Sequence, residues 1–288
     1  MRWQLPVRVW RGIGTALAHL RAVVPGPCAL CGARCAGGGL CPPCWAHLRG
    51  HAALPSCQRC AAPRNRPGLC NVCRRRPPAF HRLIAGMHYV PPGSALILEF
   101  KQAGRLALGE PFAALLAAAL ADLPASGLPL NEPIPDKAAL DARSPARPAS
   151  AEAPPDPPAF PAGARIVPVP SSPTALNRRG FNPAGVIAAC LAARLGLPLE
   201  RRLLRWREPA ATASQRGRSR RQRLRRGRQA FQVAWPSRLP PGTPIVLVDD
   251  VATTGATLDA AAAALRAAGA GPVWALAVAR TPPPVGPL

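Results

Sequence analysis

Lysine is nearly absent from this chain. Only Lys101 and Lys137 occur, so 35 of the 37 basic residues are arginines. Acidic residues are scarce too, 13 in all, and none precedes Glu99. The formal charge of +24 demands anionic company: phosphates, nucleic acid or an acidic membrane surface. Aromatic residues make up 5%, too few for a base-stacking sheet of the RNA-recognition type. Long apolar runs are missing as well. The longest with helical character, residues 112–121, is about half of the ~20 residues a membrane span requires. No Gly-Lys dipeptide occurs, which excludes a Walker A nucleotide loop. Arg8, Arg11, His19 and Arg21 interrupt the N-terminal region, so no signal peptide is read and a cytoplasmic protein is expected.

Against these absences stand 288 residues with 48% apolar content. That is enough for one medium domain and a small accessory module, and it excludes disorder along the whole length. Trp10, Ile13, Leu17, Leu20 and Val24 recur at spacings of three and four, which predicts an amphipathic helix over 1–25. Such a helix packs on protein or lies in a membrane interface. Residues 124–163 contain 11 prolines and little periodicity, and read as a flexible insertion. Elsewhere short β-branched runs alternate with helical patterns. Strands are predicted at 83–89, 166–169, 245–248 and 273–279, and helices at 94–102, 108–123, 183–195 and 257–268. This alternation implies an α/β fold with a parallel sheet flanked by helices.

Nine of the ten cysteines fall between positions 28 and 73. Eight form CxxC pairs: Cys28/Cys31, Cys41/Cys44, Cys57/Cys60 and Cys70/Cys73. Two residues between thiolates let one tight turn present both sulfurs to a tetrahedral ion, and two such knuckles complete a four-cysteine zinc ribbon. The repetition predicts two structural Zn2+ sites. A disulfide framework is the alternative, and the cytosolic character of the remainder argues against it. Residues 1–82 hold 13 arginines, so two zinc ions with eight thiolates leave this region strongly cationic. Cys35 and Cys190 lack partners by spacing and are expected to be buried small hydrophobes.

Residues 245–257 read IVLVDDVATTGAT. A buried strand is followed by two carboxylates, Asp249 and Asp250, at the end of a sheet where α/β proteins bind ligands. Thr253, Thr254 and Gly255 then turn into a helix, and such a turn collects amides and hydroxyls around an anion. Paired acids beside an anion cradle repel the ligand unless they face its hydroxyls. The combination fits a sugar phosphate. Threonine caps on a strand–turn–helix explain the hydroxyls but not two adjacent acids.

These thirteen residues resemble the phosphoribosyl-pyrophosphate signature of type I phosphoribosyltransferases. The rest resembles the ComF/GntX family, which joins an N-terminal zinc ribbon to that domain. The likeness extends to the IVPVP stretch at 166–170, the RGFN stretch at 179–182, Gln215, Phe231 and Lys101. It departs from the family pattern at Thr174, Ala175, Pro183, Arg218 and Arg226. The resemblance implies Asp249 and Asp250 on ribose, and Ala252, Thr253, Thr254, Gly255, Ala256 and Thr257 on the 5′-phosphate. It implies Mg2+ arriving with phosphoribosyl pyrophosphate, with Lys101 and Arg179 toward the pyrophosphate. It also points to DNA uptake or utilisation, and to DNA-uptake proteins as partners.

Residues 201–228 hold 12 arginines and one acid, Glu208. Three readings compete: an active-site loop closing over pyrophosphate, a single-stranded DNA track, or a solvated helix face. In the second, Arg220, Arg221, Arg223 and Arg225 touch phosphates while Trp206 or Phe231 stacks on bases. The expected organisation is a helix at 1–25, a double zinc ribbon at 26–76, and a phosphoribosyltransferase-like domain starting at 83–123. That domain resumes at 164–282 after the 124–163 insertion. Two functions remain open, a phosphoribosyltransferase-like protein and a non-enzymatic single-stranded DNA-binding protein that uses the fold for ligand sensing.

Overall fold

The structure, a computed structural model, describes residues 25–35, 39–50, 55–66, 68–123, 160–207 and 230–282. The expected N-terminal helix, most of the 124–163 insertion and most of the arginine run lie outside the described residues. The chain divides into two compact units, Met1–Leu48 and Arg49–Leu288. In the first, β1 (Gly26–Pro27) pairs antiparallel with β2 (Arg34–Cys35), ahead of helix α1 (Pro42–Gly50).

The second unit begins with a cysteine segment and the short helix α2 (Asn71–Arg75). It continues through β3 (Arg82–His88), α3 (Gly93–Gln102), α4 (Gly109–Ala121), β4 (Arg165–Pro168), α5 (Pro173–Arg179) and α6 (Pro183–Leu195). Strands β5 (Leu204–Trp206) and β6 (Phe231–Val233) pair antiparallel beside the main sheet. Strand β7 (Ile245–Ala252), helix α7 (Ala256–Ala267) and strand β8 (Val273–Arg280) complete the unit. The main sheet has the order β3-β8-β7-β4, parallel throughout. All eight residues of β8 are buried, as are the first four of β7. A sheet covered on both faces selects such unbroken apolar runs.

Helix α4 packs on β3 and on α6, which packs on β4 and β7. Gly86 permits the approach of α4, since an added Cβ would stand 3.2 Å from that of Leu115. Against Ile245, Leu247, Val273 and Ala275 lie Leu258, Ala261 and Leu265 of α7, together with Cys57, Cys60 and Cys73. Burial of these side chains is the main driving force for the unit.

Two elements differ from the periodicity. Strand β7 extends four residues beyond Val248 because β8 stays paired with it out to Ala252 opposite Arg280. Helix α5 has no buried residue, so no apolar stripe announces it. Its ends hold it: the Ser172 hydroxyl accepts the Ala175 N–H at 3.2 Å, and Gly180 closes it at φ +76°. Among the described residues no helix is long and apolar enough to cross a membrane.

Candidate functional site

The eight CxxC cysteines gather into two groups of four, Cys28, Cys31, Cys41 and Cys44, and Cys57, Cys60, Cys70 and Cys73. Within each group every sulfur lies within 4.8 Å of the others. All ten cysteines are free thiols. The two groups are built alike. The Cys41 N–H donates to the Cys28 sulfur at 3.3 Å, and the Cys70 N–H donates to the Cys57 sulfur at the same distance. Such bonds favour thiolate. The Cys28 thiol is thereby lowered to about 6 against the burial that opposes it. Hydrogen bonds from Cys60 and Cys73 hold Cys57 far below the usual thiol range, while hydrogen bonds with Cys57 and Cys60 push Cys73 far above it. Four sulfurs this close cannot all ionise unaided, and a divalent cation among them removes the conflict. Donor set and spacing fit structural zinc at both sites. Cys35 and Cys190 are half-buried rather than buried. For Cys190 burial pushes the thiol up, as expected of an apolar setting.

The second candidate region lies where β7 ends. Asp249 and Asp250 sit inside the strand, half-buried, rather than after it. The Asp250 N–H donates to a carboxylate oxygen of Asp249 at 2.9 Å. Lys101, in the last turn of α3, places its ammonium 2.9 Å from Asp250. Burial first, and then the charge of Asp250, raise the Asp249 carboxyl to about 8, although the Asp250 N–H and Lys101 both pull it down. Beyond Ala252, residues Thr253 and Thr254 lead to Gly255, whose φ of +79° precedes α7. A Cβ there would meet only Phe80, at 3.9 Å. Glycine is therefore required by its left-handed backbone rather than by lack of room. The Thr254 hydroxyl accepts the Ala256 N–H at 3.3 Å, and Thr257 follows in the first turn of α7.

The expected site residues thus divide into groups. Asp249, Asp250, Lys101 and the 252–257 loop occupy one end of the sheet. Arg179 ends α5, and Phe181, two residues later, packs edge-on against Phe100 beside Lys101, with ring centres 5.7 Å apart. The Asn182 amide braces the same turn, donating to the Val169 carbonyl at 3.0 Å. Gln215, Arg220, Arg221, Arg223 and Arg225 lie outside the described residues. One expectation is corrected. Phe231 does not offer a free face to a base, because it is only 3% exposed and its ring packs on the half-buried Trp206 with centres 4.6 Å apart. The Trp206 indole N–H also donates to the Pro170 carbonyl at 2.8 Å.

Arg280, at the end of β8, is a central residue that sequence reasoning passed over. It is only 6% exposed, and its guanidinium donates to backbone carbonyls of Cys60, Ala252, Thr253 and Thr281. Its only signal was an arginine closing an otherwise apolar strand, since the Cys60 partner is 220 residues away in the chain. A second feature is an open groove of about 230 Å³ lined by Arg201, Arg202, Trp235 and Arg238 among others. Trp235 is 44% exposed, and the Arg238 guanidinium lies 5.4 Å from its ring centre.

Comparison with known proteins gives relatives that span nearly the whole chain. The DNA utilization protein YhgH of Salmonella typhi is 31% identical over 261 residues, covering 90% of this chain and 98% of that protein. The protein of the same name in Escherichia coli strain K12 is 30% identical over 267 residues, with the same shares covered. Competence protein F of Haemophilus influenzae is 27% identical over 243 residues, 83% of this chain and 90% of its own length. No family model and no solved structure matches the chain.

Proposed function

We propose, for a chain that belongs to the ComF/GntX family, that it binds phosphoribosyl pyrophosphate with Mg2+ at the end of β7 and acts in DNA uptake or utilisation. One observation carries the ligand reading. An adjacent acid pair, a lysine and a glycine-hinged turn into a helix N-terminus meet at the carboxyl end of a parallel strand. In this reading Asp249 and Asp250 accept the two ribose hydroxyls. The amides and hydroxyls of Ala252, Thr253, Thr254, Gly255, Ala256 and Thr257 hold the 5′-phosphate. Lys101 leaves Asp250 for the pyrophosphate, joined by Arg179. Mg2+ supplies charge to the leaving group. In the enzymatic form, a nucleophile attacks C1, the C1–O bond breaks, and pyrophosphate departs with the electron pair. The names of the relatives support the DNA-handling part.

Calorimetry with phosphoribosyl pyrophosphate and Mg2+ tests the binding, followed by a pyrophosphate-release screen over nucleobases. The Asp249→Asn/Asp250→Asn double variant is expected to lose binding, because amides cannot accept both hydroxyl protons as carboxylates do. Unchanged affinity in that variant places the site elsewhere. Asp249 carries a proton at neutral pH when its pKa is near 8. Diol binding to its ionised form therefore releases a proton, and affinity rises with pH up to about that value.

The Trp235 groove favours a second reading, single-stranded DNA binding without catalysis. An exposed indole flanked by arginines matches the stacking-plus-phosphate pattern of single-strand binders. Trp235→Ala is expected to weaken oligothymidine binding by roughly 1–3 kcal/mol, the value of one stacked base. Replacing Arg220, Arg221, Arg223 and Arg225 by Gln is expected to flatten the salt dependence, by about 0.7 in log–log slope for each phosphate no longer neutralised. An unaltered slope with pyrophosphate release lost assigns the run to an active-site loop, and a variant unaltered in both returns it to a solvated face.

A further inference from the structure

The second cysteine cluster and the 252–257 loop are joined at three points. Arg280 Nε donates to the Cys60 carbonyl at 3.0 Å, while its Nη1 donates to the Ala252 carbonyl at 3.0 Å and to that of Thr253. Three residues beyond the α2 end cap, the Ala79 N–H donates to the Asp259 carboxylate in the first turn of α7 at 2.7 Å. The next residue, Phe80, is buried to 1% exposure and lies under Gly255. The 57–80 segment therefore meets the loop at its entry, at its glycine hinge and at the helix that follows.

A buried guanidinium needs every donor answered, since an unpaired buried charge is costly. Here the answering carbonyls come from a CxxC knuckle, from the loop and from the neighbouring Thr281. The Cys60 carbonyl stands where it does because Cys57 and Cys60 share a turn, with the Ala61 N–H bonded to the Cys57 carbonyl at 2.8 Å. Metal among the four sulfurs would hold that turn, as ligation and local folding are one event in small four-cysteine sites. Loss of the metal frees the turn, moves one partner of Arg280, and releases the guanidinium from the loop carbonyls.

We propose that Arg280 is a positioning residue that makes the anion affinity of the 252–257 loop depend on metal at Cys57, Cys60, Cys70 and Cys73. This rests on the loop being the phosphate-binding loop named above. It adds to that reading a regulation by zinc supply or by thiol oxidation, either of which empties the second cluster.

The test uses the full chain, loaded with zinc, and three readouts: zinc per chain, amide exchange of residues 253–257, and affinity for phosphoribosyl pyrophosphate with Mg2+. Cys70→Ser is expected to lose one zinc, speed loop exchange and weaken ligand binding, each by at least about tenfold, the order expected for one charge-assisted buried bond. Cys41→Ser is expected to lose one zinc and leave the loop unchanged. Arg280→Met is expected to keep both ions yet show the fast loop, and Arg280→Lys to recover part of the effect because the charge remains without the fork. Combining Arg280→Met with Cys70→Ser is expected to add nothing further. A loop indifferent to Arg280→Met, equal responses to Cys41→Ser and Cys70→Ser, or additive effects in the combination overturns the proposal. Should Cys70→Ser unfold the unit, stepwise zinc removal by a chelator from wild type and from Arg280→Met replaces it, the loop following the metal in the first and not in the second. Should Arg280→Met not fold, Arg280→Lys takes its place. A loop that follows the second cluster in a protein that binds no phosphoribosyl pyrophosphate sustains the coupling and defeats the ligand reading.

Discussion

The two cysteine clusters share one design and differ in what surrounds them. Each has two CxxC turns, and in each the first cysteine accepts an N–H bond from the third at 3.3 Å. In the first cluster Cys31 is exposed and Cys44 half-buried. In the second, Cys57, Cys60 and Cys73 are all buried and belong to the same apolar core as β7, α7 and β8. Arg59, inside the second cluster's first turn, has its pKa lowered by burial while the charges of Cys73 and Cys57 act to raise it. A metal–tetrathiolate carries net negative charge, so it strengthens that compensation. An identical motif can thus serve as a local staple in one unit and as part of the core in another. What decides is the apolar surface available beside it, not the ligand spacing.

The largest expected effect comes from removing one ligand in each cluster. Cys57→Ser is expected to cost one zinc and lower the melting temperature of the α/β unit, because the binding free energy of structural zinc is folding free energy. Cys41→Ser also costs one zinc but is expected to leave that melt in place. Metal analysis paired with near-ultraviolet dichroism checks both, and identical melts in the two variants break the comparison. An intermediate effect concerns rate. A chelator should draw zinc in two phases, the fast one from the cluster with exposed Cys31 and absent from Cys41→Ser. A single phase means that burial does not govern access.

The smallest effect is electrostatic and sharpens the assignment of the second cluster to the core. The raised carboxyl of Asp249 means that the folded protein holds a proton the unfolded chain releases. Stability from this group is full below the ordinary value of 3.8 and is lost as pH rises toward about 8. Asp249→Asn should remove that decline, so its melting temperature gains on wild type between pH 5 and 9 by a few degrees, about 2–4 °C per kcal/mol in a unit of this size. The pH-dependent melt should release the second zinc with it and not the first. A wild type whose melt is flat across that window removes the premise.

Much of this was legible in the chain itself. The strands at 245–248 and 273–279 announce themselves by unbroken apolar runs, and α6 by its Pro183 start and apolar face. The two four-cysteine groups announce themselves by two-residue spacing, since one tight turn can then present two sulfurs to a tetrahedral ion. The Asp249–Asp250 pair stands out because adjacent acids ahead of a Thr-Thr-Gly turn have no purely structural reason. Helix α5 stayed hidden because it buries nothing, and the β5–β6 pair because each strand has three residues and its partner lies across the arginine run.

Local chemistry is what a sequence states by itself: which residues ligate, which turn requires glycine, which segments must be covered on both faces. Long-range partnership was decided only in three dimensions. Lys101 finds Asp250, Ala79 finds the carboxylate of Asp259, and Arg280 spans Cys60 and Ala252. Spacing along the chain carries no information about such pairs. A buried charge is satisfied by whichever carbonyl the packing brings near, and packing is a property of the whole core.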